Sequence, residues 1–242
     1  TFHRSFSGSS LDANVVLGAK DHTLFHIHSW TLKMTSGWFR SLFSMPQQNP
    51  LPNHPEFINL DEDSHTLESL LLMLCGLPVN PLTSYDEVDA LLFAAEKYEM
   101  PGPISLIRVL IMTPPLLDQP LHLYAAATRC GWKEEARHAS VQLLALNIYT
   151  QEHQPILRKL HMGAVLDLMN LHHNRREGIR QRLNERPFVT RSTTASCPRC
   201  RWKVDHRTWR ELKYRVVMEM DVRQLGDMVV DVGLTGWPEA IA

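Results

Sequence analysis

At His28 the apolar rhythm of this chain changes period, and that change restricts the fold more than any other feature of the sequence. In "DANVVLGAKDHTLFHIH" (12–28), Val15 and Leu17 alternate and "GAKD" supplies a turn. Leu24 to His28 is again β-prone, so the stretch predicts two short strands joined as a hairpin. Phe25 and Ile27 share one face of the second strand, and Leu24, His26 and His28 share the other. From Trp30 the spacing is helical. Trp30 and Met34 are four apart, and "SGWFRSLF" places Trp38, Phe39, Leu42 and Phe43 on one stripe behind Ser36 as N-cap. A chain that passes from period 2 to period 3.6 within a few residues builds a body of mixed strands and helices.

The next segments extend that body. "MPQQNPLPNHP" (45–55), with four prolines, is a loop, and "EFINLDED" is a strand ending in acids. "SHTLESLLLMLCG" predicts a helix capped by Ser64, with Leu67, Leu70, Leu71 and Leu74 buried and Gly76 as its stop. "SYDEVDALLFAAEKYEM" carries a capping box, Ser84 with Glu87, and a stripe of Val88, Leu91, Leu92 and Ala95. Pro101 and Pro103 break it before a last apolar helix at 104–112. Beyond "TPPLLDQP" the pattern is helical only: "LHLYAAATRCG" ends on Gly131, and "WKEEARHASVQLLAL" repeats at Ala136, Ala139/Ser140 and Leu143/Leu144. "LHMGAVLDLMNLHH" has Val165, Leu168 and Met169, continuing thinly to Ile179 and Leu183. The fold class is therefore α+β followed by an all-α extension. The expected divisions are a tail at 1–11, a mixed domain at 12–112, a helical extension at 119–185, and a linker, Cys pair and C-terminal helix at 186–242.

Charge is distributed unevenly. Residues 1–171 carry 11 Lys/Arg against 17 Asp/Glu, residues 172–215 carry 13 against 4, and residues 216–242 carry 1 against 5. The balances of −6, +9 and −4 sum to the net −1. No run reaches the ~18 apolar residues of a membrane span, and no apolar leader is visible. The chain opens on Thr1, as a fragment or processed form would. Four scattered cysteines and no N-x-Ser/Thr acceptor point to a reducing compartment, cytoplasm or nucleus.

The sharpest chemical motif is "CPRC". Cys197 and Cys200 can face one tetrahedral zinc, and His206 lies six residues on, with Cys130 and His172/His173 elsewhere in the chain. Zinc is the one cofactor this set would take; two reduced thiols without metal is the plainer reading. Arginines interleaved with Trp202, Trp209 and Tyr214 suit phosphate contact and base stacking, but no nucleic-acid-binding motif accompanies them. A solvated helix face, or a partner for the acidic body, explains them as well. There is no G-x-S-x-G, P-loop, Rossmann fingerprint or H-E-x-x-H, and the acids at 60–64 read as a strand end and a helix start, so no enzyme is expected.

"DANVVL…TLFHIHSWTLKMTSGWFRSLF" resembles the opening of a BTB/POZ domain at Asp12, Phe25, His28, Leu32, Ser36, Phe39 and Phe43, and "LLFAAEKYEM" (91–100) is similar to a segment near that domain's end. The helices at 119–185 resemble the BACK-like extension that often follows, and the whole layout is similar to the BTB proteins of mushroom-forming fungi. The resemblance implies a non-enzymatic protein–protein interaction module, a ubiquitin-ligase adaptor or a transcriptional regulator. It makes His28 a fixture of the strand-to-helix corner, its ring held by local hydrogen bonds and packing, and leaves the His26/His28 pair as scaffold.

It also raises homodimerisation and cullin binding, and the residues depart from both patterns. Ser29 stands where charged-groove dimers carry an Arg for Asp12, and too few residues precede Asp12 for the helix such dimers exchange. Ser44-Met45-Pro46-Gln47 lacks the hydrophobic-x-Glu element of cullin binders, so the cullin motif is not evident. The candidate docking anchors are Trp30, Trp38 and Met45, with a core position as the competing reading for Trp38. The rival function is a zinc- and nucleic-acid-binding regulator using residues 172–215.

Overall fold

The change of period at His28 is realised as strand, strand, helix. In a computed structural model that describes residues 1–7, 13–45, 55–185 and 206–226, β1 (Val15–Gly18) pairs antiparallel with β2 (Leu24–Ile27), Val16 facing His26. α1 (Ser29–Thr35) and α2 (Gly37–Leu42) follow at once. They carry the chain over to β3 (Glu56–Asn59), which lies parallel to β1 on its other side, so the strand order is β2-β1-β3. Central β1 is buried at all four positions. That is why it reads "VVLG" rather than a clean alternation. On β2 only Phe25 and Ile27 face the core.

α3 (Ser64–Cys75), α4 (Tyr85–Lys97) and α5 (Pro101–Leu110) complete a first unit, Thr1–Asp118. α4 buries Val88, Leu91, Leu92 and Ala95, the stripe expected from its spacing. Half of its box forms: Ser84 accepts the Glu87 N–H at 3.3 Å, while the Glu87 carboxylate reaches one residue past the cap and accepts the Thr83 N–H at 3.0 Å. Two helix starts differ from expectation. The cap of α3 is Asp63, whose carboxylate accepts the Thr66 N–H at 2.8 Å. A carboxylate there also answers the positive helix end, and the Ser64 hydroxyl donates instead to Asp21. That bond holds the Asp21 carboxyl below its usual range. Pro101 and Pro103 do not precede α5 but lie in its first turn. The missing N–H groups of proline cost nothing there.

Residues ahead of the hairpin add to this unit. The His3 N–H donates to Leu24 (2.8 Å), the Leu24 N–H donates to Thr1 (2.9 Å), and Phe6 is buried. His3 stacks on Phe25 at 5.0 Å and pairs with Glu68 at 3.4 Å.

The second unit begins at Gln119. α6 (Pro120–Arg129) and α7 (Lys133–Leu143) pack as an antiparallel pair around Leu123, Ala127, Ala139 and Leu143. Then come α8 (Gln154–Leu157), the long α9 (Met162–Leu183) and α10 (His206–Val222). The buried stripe of α9 is Ala164, Leu168 and His172. It is displaced from the expected Val165 and Met169, which are half-buried, because a histidine takes the third core position.

Candidate functional site

α1 is braced from both ends. At its start the Ser29 N–H donates to Asn14 Oδ1 (2.8 Å) and Asn14 Nδ2 donates to Ser29 Oγ (2.9 Å). The position where a charged-groove dimer would carry arginine is thus spent on a two-way bond to the first strand's approach. Asp12, its supposed partner, lies outside the described residues. At the other end the Ser36 N–H closes on Leu32, and the Ser36 side chain is fully buried. Leu32 alone anchors α1 in the core.

The opposite face of α1 is apolar and bare. Trp30 is 70% exposed and Met34, one turn on, is 60% exposed. Beside Met34 a shallow groove of about 420 Å³ runs between the α1–α2 corner and the start of α5, lined by Thr35, Gly37, Arg40, Glu99, Pro101 and Ile104. Charge stands in its lining, with Glu99 and Arg40. Exposed aromatic and thioether groups with charge beside them suit protein docking.

Of the three expected anchors, Trp30 faces solvent as described, and Met45 is 62% exposed just past α2. Trp38 turns inward: its ring packs edge-on against Phe39 (4.7 Å) and Tyr98 (5.2 Å). Met34 and Asn14 are the residues that sequence reasoning did not single out. The i, i+4 spacing of Trp30 and Met34 was the available signal for the first.

The histidines of β2 go separate ways. His26 packs against the Phe2 ring at 4.5 Å. His28, at the N-cap of α1, caps with no side-chain bond, and its backbone carbonyl accepts the Leu32 N–H at 3.3 Å. The ring makes no capping bond to α1 and is half-buried at the corner. Among the described residues no group of three His, Cys, Asp or Glu side chains is placed to hold a metal. Cys197 and Cys200 lie outside the described residues, and His206 is described only as the first residue of α10. The acids after β3 are occupied: Lys97 bridges Glu62 (2.9 Å) and Asp61 (3.1 Å), and the Tyr98 hydroxyl donates to Glu62. Burial first, then the Glu62 carboxylate, pushes the Tyr98 phenol up. No described helix is long and apolar enough to cross a membrane.

The first unit is thus a three-stranded sheet flanked by helices, with one short helix whose outer face carries the exposed Trp30 and Met34. Residues 3–113 match the family described as BTB/POZ domain, and the first unit has that fold, α+β with further helices after it. Domains of this family are protein–protein interaction modules rather than enzymes. No curated protein matches the chain.

Proposed function

We propose that this chain is a non-enzymatic adaptor or regulator of the cytoplasm or nucleus that docks other proteins through the outer face of α1, with a second copy of the chain as the first occupant. The observation that carries the reading is the pair Trp30 and Met34, exposed one turn apart on a helix braced at both ends. An apolar helix face meets its own copy across a two-fold axis with each anchor used twice. Met45 extends the same apolar character beyond α2. A cullin is the second candidate occupant, without its usual motif.

Sedimentation of the full chain with and without a cullin tests this. The expected result is a dimer, or a cullin complex, whose dissociation constant rises about tenfold or more in Trp30→Ala/Met34→Ala, since central apolar anchors carry ~1–4 kcal/mol each. A monomer that binds no cullin at ~100 μM, a weak affinity of ~5.5 kcal/mol, would overturn it. So would an assembly indifferent to both substitutions.

The rival zinc- and nucleic-acid reading rests on Cys197 and Cys200, outside the described residues. The basic segment supports it less than its charge suggests, because Arg176 is paired with Asp221 and Arg207 with Glu211.

A further inference from the structure

α10 is joined to the second unit by a narrow seam. It runs antiparallel along α9: Lys213 bonds Asn184 (2.6 Å), Asp221 pairs with Arg176 (3.1 Å), and the Leu225 carbonyl accepts from Arg175 (3.5 Å). These three ties lie at the exposed surface. The Leu225 N–H also donates to Leu144, just past the end of α7 (2.8 Å). Inward, α10 and the residues just past it bury Val216, Met220 and Gln224, one turn apart.

The last of those positions is polar, and so is the residue beside it. His172, on the buried stripe of α9, is 1% exposed and Gln224 is 3% exposed. Both ring nitrogens of His172 and Oε1 of Gln224 lack a hydrogen-bond partner among the described residues. Gln224 Nε2 is spent on the Asp221 carbonyl (3.3 Å). Docking of α10 thus strips three polar atoms of water and gives none of them a bond in return. Two apolar side chains and a row of surface ties are left to hold the helix down.

The same pair sets how the seam answers to acid. A proton on the docked His172 is a buried charge, and the charges around it do not welcome it. On α9, Arg175 and Arg176 stand one turn on, and the exposed His173 adjoins. On α10, Asp221 is held by Arg176 and Glu219 by Arg223 (3.3 Å). The end of α7 brings Leu143 and Leu144, which do not titrate; His138, further up that helix, is exposed and bonded to Gln142 (3.1 Å). α6 meets α9 two turns away, where the Tyr124 hydroxyl donates to Ala164 (2.9 Å). Burial therefore pushes the docked imidazole down, with Gln224 offsetting part of the effect. Once α10 lifts away, His172 is free to take its proton near the ordinary ~6.5. The proton binds the open form better than the closed one, so acid draws the equilibrium toward the open form.

We propose that α10 is an acid-released latch: a proton taken up by His172 frees α10 from α9 and bares Val216 and Met220 while α6 and α7 stay folded. The latch does not depend on α1 or on what docks there.

Hydrogen exchange on the full chain at about pH 7.5 and about pH 5.0, with each rate corrected for the intrinsic pH dependence of its amide, tests this. The α10 amides are expected to open separately from those of α6 and α7, with lower protection and a smaller urea dependence. Their opening constant should rise at least about threefold at the lower pH, against a ceiling of about thirtyfold for a docked histidine that takes up no proton. His172→Leu should show the same opening constant at both pH values. Gln224→Glu, which offers the proton a carboxylate in the docked form, should also cancel the rise, and it keeps the test decisive should His172→Leu fail to fold. α10 amides that exchange only together with α6 and α7 overturn the proposal. So does a wild-type opening constant indifferent to pH, or a rise that persists in either variant.

Discussion

The Ser36 hydroxyl donates to the Tyr98 carbonyl at 2.5 Å and accepts the Phe39 N–H at 3.1 Å, so one buried oxygen caps α2 and ties it to the end of α4, 62 residues away. Both bonds are lost in Ser36→Ala, and the Tyr98 carbonyl is left buried without its donor. The expected cost is about 2–4 kcal/mol, a helix cap plus an unpaired buried acceptor. Urea unfolding checks it: the midpoint should fall with the slope unchanged, whereas an unmoved midpoint would show that the clip holds nothing.

Gly37 and Glu99 form the second half of that joint. The Gly37 N–H donates to the Glu99 carbonyl (3.0 Å), Glu99 sits at φ 52°, and a methyl on Gly37 would fall on the Glu99 carboxylate. Gly37→Ala forces the exposed Glu99 side chain into another rotamer and should destabilise by roughly 0.5–1.5 kcal/mol. Glu99→Gly is freed from a left-handed strain of about 1–2 kcal/mol, offset by glycine's entropic cost of about 0.5–1 kcal/mol, and should stabilise slightly. In the Glu99→Gly background the alanine at 37 should cost little. A double-mutant cycle with no coupling would refute the contact.

His172 predicts an acid sensitivity in the second unit. It is 1% exposed, both ring nitrogens lack a partner among the described residues, and the adjacent Gln224 is 3% exposed with its Oε1 also unpaired. Burial pushes the imidazole down, partly offset by Gln224. A base with a depressed folded pKa resists the proton that the unfolded chain takes up. Its contribution is whole above the unfolded value of ~6.5 and is lost as pH falls through the folded value. Thermal unfolding should show stability falling below about pH 6.5, with a slope of up to ~1.4 kcal/mol per pH unit. His172→Leu should flatten that slope, and a variant with the wild-type profile would place the acid sensitivity elsewhere.

Zinc content decides the rival reading of the C-terminal segment. If Cys197, Cys200 and His206 hold a metal, purified protein should release about one equivalent on thiol modification, and Cys197→Ser should abolish it. Protein purified in the presence of zinc that carries none removes the metal from that reading.

The strands, the capped helices and the apolar stripes were legible because each rests on neighbours in sequence: Ser36, Ser84 and the run Val88 to Ala95 carry their own signals. What escaped depends on distant residues. Asp63 displaced Ser64 as cap because Asp21, across the unit, takes the serine hydroxyl. The stripe of α9 moved to include His172, beside Gln224, 52 positions on. Trp38 stood in the sequence as anchor or core, and Phe39 beside it with Tyr98, brought up by α4, decides for a packed ring.

The first residues of the chain have an effect on association. They use the outward N–H and carbonyl of Leu24 and lay Phe2 against His26, so they cover the Leu24 end of one rim of the sheet, while β3 forms the other rim among the described residues. A strand edge whose N–H and carbonyl groups are already taken gives an incoming strand less to pair with. A handful of amino-terminal residues thereby works against strand addition at that end.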